Sequence, residues 1–330
     1  MPNGELLLFA LESSRALGER IAGTIGQPLS AHEERAFEDG EHKSRPLVNV
    51  RGGDVYVIAS LHASTEETVN DRLCRLLFFL GALRDAGAAR LTAVLPYLCY
   101  ARKDRKTKDR DPVTTRYVAQ MIEAVGVDCV LTIDVHNLAA YQNAFRCRSE
   151  HLEAAPLLVP AIVAALPPEQ PVVVCSPDAG GFKRAEGFRR RLETRTGRPV
   201  ELALMEKQRS QGEVTGTRFF GTVDGSTVVI VDDLISTGTT MSRAARASRV
   251  EGARAVIAAA THGTFTGKAA EAVADPAIDR FIVTDTIPPF RLPPDLVARK
   301  LTIVGTAAFL AEAIGRLHDG GSLEDLMAEN

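Results

Sequence analysis

The chain has 330 residues, 45% of them apolar, which is long for a single hydrophobic core and predicts two well-filled domains of about 150 residues each. A formal charge of -3 at pH 7 excludes a whole-molecule attraction to nucleic acid or to an anionic membrane, so basic residues matter only where they cluster. No window reaches the roughly 20 apolar residues of a membrane span, and no basic segment precedes the first apolar run. The cysteines at 74, 99, 129, 147 and 175 show neither a CxxC pair nor zinc spacing, so reduced thiols and a cytoplasmic location are expected, with neither nucleic acid nor membrane as partner.

Apolar runs at 6–10, 55–59, 91–95 and 130–133 in the first half, and at 172–175, 228–231, 256–260 and 281–283 in the second, alternate with helical stretches. This alternation predicts an α/β protein of two similar doubly wound domains with mainly parallel sheets. Segment 158–171 reads as a helix followed by a Pro-rich connection. The domains are therefore expected at 1–150 and 151–330, with a helix near 305–317 that can pack back on the first. Chemically active residues follow the strands directly, where open α/β sheets bind ligands.

Between the first two strands, Phe37-Glu-Asp39-Gly-Glu41 reads as a polar turn. After the strand at 91–95, Arg102, Lys103, Arg105, Lys106, Lys108 and Arg110 place six cations within nine positions. Such a run is either a solvated face or a cradle for a polyphosphate, and with no GxxxxGK[ST] in the chain any nucleotide must be gripped by side-chain cations of this kind. Asp111 and Pro112 read as the cap and first residue of the next helix. The strand at 130–133 ends on Asp134 and His136, two residues apart and so on one side of an extended chain.

In the second half, Val172-Val-Val-Cys-Ser-Pro-Asp178-Ala-Gly-Gly181 puts an acid and two glycines behind a strand, allowing close backbone approach to a ligand. Glu206-Lys207-Gln-Arg209-Ser-Gln-Gly-Glu-Val214 reads only as a polar loop. The most informative stretch is Val228-Val-Ile-Val-Asp232-Asp233-Leu-Ile-Ser236-Thr237-Gly238-Thr239-Thr240. Its four β-branched residues predict a strand covered on both faces, ending at the two acids, with the hydroxyl-rich turn opening a helix to about residue 251. The free N–H groups and positive dipole end of that helix suit a phosphate, and the acids suit sugar hydroxyls or magnesium. A phosphorylated sugar is the implied ligand.

Residues 228–240 resemble the phosphoribosyl-pyrophosphate (PRPP) loop shared by type I phosphoribosyltransferases and ribose-phosphate pyrophosphokinases. Tyr100-Ala-Arg-Lys-Asp104-Arg-Lys106 resembles the ATP-binding loop that only the pyrophosphokinases carry, with Lys103 in place of the usual glutamine. Phe37 to Glu41 is similar to the family's Phe-x-Asp-Gly-Glu, Asp134-Val-His136 to its Asp-Leu-His, and residues 176–181 to its Ser-Pro-Asp-x-Gly-Gly. These motifs occur in the family's order along nearly the whole chain. The resemblance implies a phosphoribosyltransferase-like fold and transfer of the β,γ-diphosphoryl group of MgATP to the C1 hydroxyl of ribose 5-phosphate, giving PRPP and AMP.

By the same resemblance, Phe37, Asp39 and Glu41 would receive adenine across a subunit boundary, which implies a homodimer or a higher homo-oligomer. Arg102, Lys103, Asp104, Arg105 and His136 would hold the rest of ATP. His136 and Asp178, supported by Asp134, would meet Mg2+, with Asp178 on either the metal or the ribose. Asp232, Asp233 and residues Ser236, Thr237, Gly238, Thr239 and Thr240 would bind ribose 5-phosphate, and Lys207 with Arg209 would form the catalytic pair of a closing loop. The chain departs from the family at Ser236, usually aspartate, at Thr239, usually glycine, and after His136, where Asn137-Leu-Ala replaces a run that helps form a regulatory ADP and phosphate site. The rival readings are a phosphoribosyltransferase, which leaves the cationic loop and the Phe37 motif without a use, and a catalytically silent subunit, which would be expected to lack Lys207, Arg209 or the acids.

Overall fold

A computed structural model of the chain describes residues 4–210 and 213–329, and side chains outside 206–218 and 329. In chain order the strands and helices are β1 (Leu6–Ala10), α1 (Arg15–Ile25), β2 (His32–Ala36), β3 (His42–Pro46), β4 (Asp54–Ile58), α2 (Val69–Asp85), β5 (Arg90–Leu95), α3 (Thr114–Ala124), β6 (Cys129–Ile133), α4 (Leu138–Ala144) and β7 (Arg148–Leu152). There follow α5 (Ala155–Ala165), β8 (Val172–Ser176), α6 (Phe182–Thr196), β9 (Val200–Ser210), β10 (Glu213–Phe220), β11 (Thr227–Ile235), α7 (Thr239–Val250), β12 (Ala255–Gly263), α8 (Ala269–Val273), β13 (Arg280–Thr284), α9 (Pro294–Lys300), β14 (Leu301–Val304), α10 (Ala307–Asp319) and α11 (Leu323–Glu329). The chain divides into two compact units, Met1–Glu153 with Thr306–Asn330, and Ala154–Gly305.

The first unit is built on a five-stranded sheet in the order β1-β4-β5-β6-β7, parallel throughout. β4 and β6 are buried at every position, because the crossover helices cover both faces of the sheet. β2 and β3 stand apart as an antiparallel hairpin. Helix α10 packs against α1, and a polar cluster anchors its end. There the buried Asp54 accepts from Arg90 Nε at 2.6 Å and meets His318 Nδ1 at 2.6 Å, while Arg90 Nη2 donates to the Leu317 carbonyl at 2.9 Å.

The second unit holds a seven-stranded sheet, β10-β9-β8-β11-β12-β13-β14, parallel except for β10. β11 runs on through both acids to Ile235, where a strand ending at Asp232 is expected from the sequence. The reason lies in its neighbour: β12 continues in register to Gly263, pairing Asp232 with Ala260 and Leu234 with His262, so the backbone groups beyond Val231 still find partners. Segment 206–214, expected as a loop, is in its backbone mostly ladder, with Lys207 opposite Thr217 and Arg209 opposite Val214. Its charged run has no apolar alternation, so it carries no strand signal.

Candidate active site

In the second unit, three elements bring acids and one arginine together at the carboxyl ends of the strands. Asp232 and Asp233 are neighbours on β11, and Arg184, on the first turn of α6, reaches both: its Nη1 lies 3.1 Å from Asp232 Oδ1 and 3.2 Å from Asp233 Oδ1. The Asp233 amide also donates to Asp232 Oδ1 at 2.9 Å. Burial first, and the adjacent Asp233 charge second, raise the Asp232 carboxyl to about 7, against the opposing pull of Arg184. At neutral pH Asp232 is therefore poised between its protonated and ionised forms.

Asp178 follows β8 and turns back on its own loop, its Oδ1 accepting from the Gly181 amide at 3.1 Å while Ser176 Oγ donates to the Asp178 carbonyl at 2.6 Å. A side chain at Gly181 would come within 2.9 Å of Ser176 Oγ, with Asp178 Oδ1 and Arg184 Nη1 just beyond. The glycine thus keeps this corner open. Arg184 itself gives no motif in the sequence, since a lone arginine on a basic helix is indistinguishable from its neighbours Lys183, Arg189 and Arg190 until the fold aims it.

After β11 the chain makes a turn, with Gly238 at φ 74° as the residue before α7. A Cβ at Gly238 would lie 2.5 Å from the Ala272 Cβ of α8, so both backbone geometry and packing demand glycine there. Ser236 Oγ and Thr266 Oγ1 are hydrogen-bonded at 2.8 Å, and Thr237 Oγ1 and Thr239 Oγ1 at 3.0 Å. Ser236 is thereby tied to the loop after β12, and Thr240 lies in the first turn of the helix. The turn and the acid pair share one edge of the sheet, which brings an anion cradle beside carboxylates.

In the first unit, Phe37 is exposed at the tip of the β2–β3 hairpin, 39% accessible, with the Arg35 guanidinium 5.1 Å from its ring centre. The turn is closed by Phe37 N–H to the Glu41 carbonyl at 2.8 Å and by the Glu41 amide to Asp39 Oδ1 at 3.0 Å. The cation-rich loop leaves β5. Arg102 and Arg105 are exposed, whereas Lys103 Nζ is engaged by Asp111 Oδ2 at 2.6 Å. Asp111 also accepts from the Thr107 and Lys108 amides, both at 3.0 Å, and these contacts, Lys103 first, hold its carboxyl well below the usual carboxylate range.

The helix cap expected at Asp111 and Pro112 is accordingly corrected: α3 starts at Thr114, after Val113, which makes no side-chain cap. Asp111 is used instead to fold the cationic loop over itself. A second correction concerns Asp134 and His136. Asp134 takes φ 37°, a left-handed conformation that aspartate tolerates, so the strand alternation that would align the two side chains stops at Ile133. Asp134 is directed toward β7, its Oδ1 3.7 Å from His151 Nε2, while His136 is exposed.

Asn137 links these parts. Its Oδ1 accepts from the Ala140 amide at 3.2 Å as the N-cap of α4, and its Nδ2 donates to Asp104 Oδ2 at 2.7 Å. The backbone of Lys207 and Arg209 belongs to β9, and their side chains lie outside the described residues.

A family model for the N-terminal domain of ribose phosphate pyrophosphokinase matches residues 6–126, and one for a phosphoribosyl synthetase-associated domain matches 194–328. The chain is 36% identical over 329 residues to ribose-phosphate pyrophosphokinase 1 of Streptococcus pyogenes, covering 99% of this chain and 98% of that one. It is 35% identical over 325 residues to the ribose-phosphate pyrophosphokinase of Synechocystis, covering 98% and 93%. The crystal structure of phosphoribosylpyrophosphate synthetase from Mycobacterium smegmatis superposes with a TM-score of 0.86 at 32% identity, covering 96% of this chain and all of that one.

Proposed function

Because the chain belongs to the ribose-phosphate pyrophosphokinase family, we propose that it transfers the β,γ-diphosphoryl group of MgATP to the C1 hydroxyl of ribose 5-phosphate, releasing AMP and PRPP. The observation that carries this reading is the pairing, on one sheet edge, of the Asp232 and Asp233 carboxylates with the turn 236–240 that opens α7. Residues Ser236 to Thr240 hold the sugar phosphate with their amides and hydroxyls. Asp232 and Asp233 accept from the ring hydroxyls, and as ligand enters, Arg184 gives up part of its hold on them.

Arg102, Lys103 and Arg105, with His136, grip the triphosphate, and Asp104 is kept in place by Asn137. Lys103 exchanges Asp111 for phosphate when ATP binds. Phe37 stacks on adenine, and Asp39 and Glu41 accept its amino hydrogens. Its exposure at a hairpin tip supports a site completed by a second copy of the chain, hence a homodimer or larger homo-oligomer.

Magnesium would find hard oxygens on Asp178, Asp232 and Asp233, although among the described residues no three His, Cys, Asp or Glu side chains are grouped so as to hold a metal by themselves. An ion that keeps its waters and shares substrate phosphates would suit such an open set. When bound, it neutralises phosphate charge. The chain's own part is alignment and electrostatic stabilisation, with Lys207 and Arg209 closing over the bridging oxygen as AMP leaves.

A cytoplasmic location accords with five free cysteines and with nucleotide substrates. Among the described residues no helix is long and apolar enough to cross a membrane. The test is direct: incubation with ribose 5-phosphate, MgATP and phosphate should yield AMP and PRPP in equal amounts. A phosphoribosyltransferase would make neither, and a silent subunit would be inert alone.

A further inference from the structure

The turn that opens α7 leans on the loop that leaves β12, residues 264–267, and two successive carbonyls of the turn are tied off there. The Ile235 carbonyl accepts from the Thr264 amide at 3.0 Å, from the Phe265 amide at 3.1 Å and from Thr264 Oγ1 at 3.1 Å. The Ser236 carbonyl accepts from the Thr266 amide at 3.0 Å. In a planar trans peptide the C=O and the N–H that follows it point in opposite directions, so holding both carbonyls on this loop turns the Ser236 and Thr237 N–H groups away from it. Those two donors are thereby set for a ligand on the other side of the turn.

The loop is itself held in an unfavourable shape. Phe265 takes φ 45°, a conformation that bulky side chains rarely adopt, and its ring is buried in the hydrophobic core of the second unit. Gly263 makes room for that ring, since a Cβ there would stand 2.3 Å from Phe265 Cε2. On its other side the loop is fastened by Arg291 Nη1, which donates to the Thr264 carbonyl at 2.9 Å, and by the Ala269 amide, which donates to the Thr266 carbonyl at 3.2 Å. Backbone strain of this kind persists only where surrounding contacts over-determine it, and it gathers at binding sites. Its result here is to present Thr266 to Ser236.

Between Ser236 Oγ and Thr266 Oγ1, 2.8 Å apart, only one proton can lie. If Ser236 donates, its hydroxyl has no proton left for a ligand; if Thr266 donates, Ser236 keeps its own and can donate outward. An anion on the turn selects the second arrangement, in which each bond polarises the next. We propose that Thr266 is a positioning residue for the sugar phosphate: its amide holds the Ser236 carbonyl back, and its hydroxyl donates to Ser236, whose own proton goes to the phosphate. Thr266 acts through Ser236 without touching the substrate. This inference rests on the reading of residues 236–240 as the sugar-phosphate turn.

The test is a calorimetric titration of the full chain with ribose 5-phosphate, in magnesium and α,β-methylene-ATP, whose α–β bridge cannot be cleaved, alongside steady-state kinetics with ATP. The proteins are the parent, Thr266→Val, Thr266→Ser, Ser236→Ala and the double variant Ser236→Ala with Thr266→Val. Valine keeps the shape and the amide and removes only the hydroxyl. Expected for Thr266→Val is ribose 5-phosphate binding weakened about fivefold, the usual worth of one hydrogen bond, with KM raised in step. Its kcat and its KM for ATP should stay within about twofold of the parent, and Thr266→Ser should restore the binding. The double variant should lose no more than Ser236→Ala, because the Thr266 hydroxyl then has nothing to orient. Melting temperatures report on folding, and Thr266→Ala takes the place of Thr266→Val if the latter does not fold. If Ser236→Ala is weakened while Thr266→Val binds like the parent, the role of Thr266 is overturned and the reading of the turn stands. Losses that add in the double variant, or a loss that serine does not restore, also overturn it. A parent that does not bind ribose 5-phosphate, or a Ser236→Ala variant that binds it as the parent does, removes the reading of Ser236 in the turn and this inference with it.

Discussion

Asp232 shows how far a neighbour can change a side chain's chemistry. Its ordinary carboxyl value is 3.8, and in the fold it rises to about 7. An acid whose value is raised by folding resists ionisation in the native state, so stability is full below about pH 4 and declines as pH climbs toward 7. Asp232→Asn cannot ionise and escapes that decline. The melting temperature of the variant relative to the parent, measured without magnesium, should therefore increase between pH 4 and pH 7.5, and a constant or shrinking difference would remove burial and Asp233 as the cause.

Lys207 is assigned by family motif alone, and its substitution tests a contact made in the transition state. Lys207→Ala should lower kcat on the order of 10²-fold or more with ATP affinity nearly intact. Equal turnover in variant and parent would end that role.

Among the secondary-structure elements, α4 ties the site's loops together. Asn137 caps its first turn and holds Asp104 with the other end of the same amide. Asn137→Ala should cost about 1 kcal/mol of stability, the usual worth of a cap, and weaken ATP binding severalfold by releasing the cationic loop. Thermal melting and an ATP titration read the two effects separately; ATP affinity unchanged beside a lowered melting point would mean that the bond to Asp104 has no part in holding the nucleotide.

The elements legible in advance are those with buried runs: β4, β6, β8 and the first half of β11 announce themselves through unbroken apolar side chains. Three of the missed ones are polar. β2 and β3 read His-Glu-Glu-Arg-Ala and His-Lys-Ser-Arg-Pro, and β7 reads Arg-Ser-Glu-His-Leu on a sheet edge, so none offers the apolar pattern by which strands are found.

For the molecule as a whole, the C-terminal segment belongs with the first unit rather than with the residues that precede it. Asp54 is nearly inaccessible, and with Arg90 and His318 it joins the start of β4, the start of β5 and the end of α10. Asp54→Asn leaves the Arg90 charge without its counter-ion, a loss expected to cost about 3–5 kcal/mol. Urea unfolding of the parent and the variant measures it. A change below 1 kcal/mol would show that the Leu317 carbonyl and Tyr56 hydroxyl suffice to hold Arg90.

From residue order alone came the α/β class, the eight apolar strands and the motifs at 37–41, 102–106, 134–136, 176–181 and 228–240, because both hydrophobic periodicity and loop motifs are local properties of the chain. Tertiary structure alone decided that Arg184 reaches the acid pair, that Asp111 folds the cationic loop instead of capping α3, and that Asp134 faces β7. It also made Asn137 a bridge between α4 and Asp104. Each of these depends on side chains brought together from distant positions, or on a single backbone angle, and neither leaves a periodic mark in the sequence.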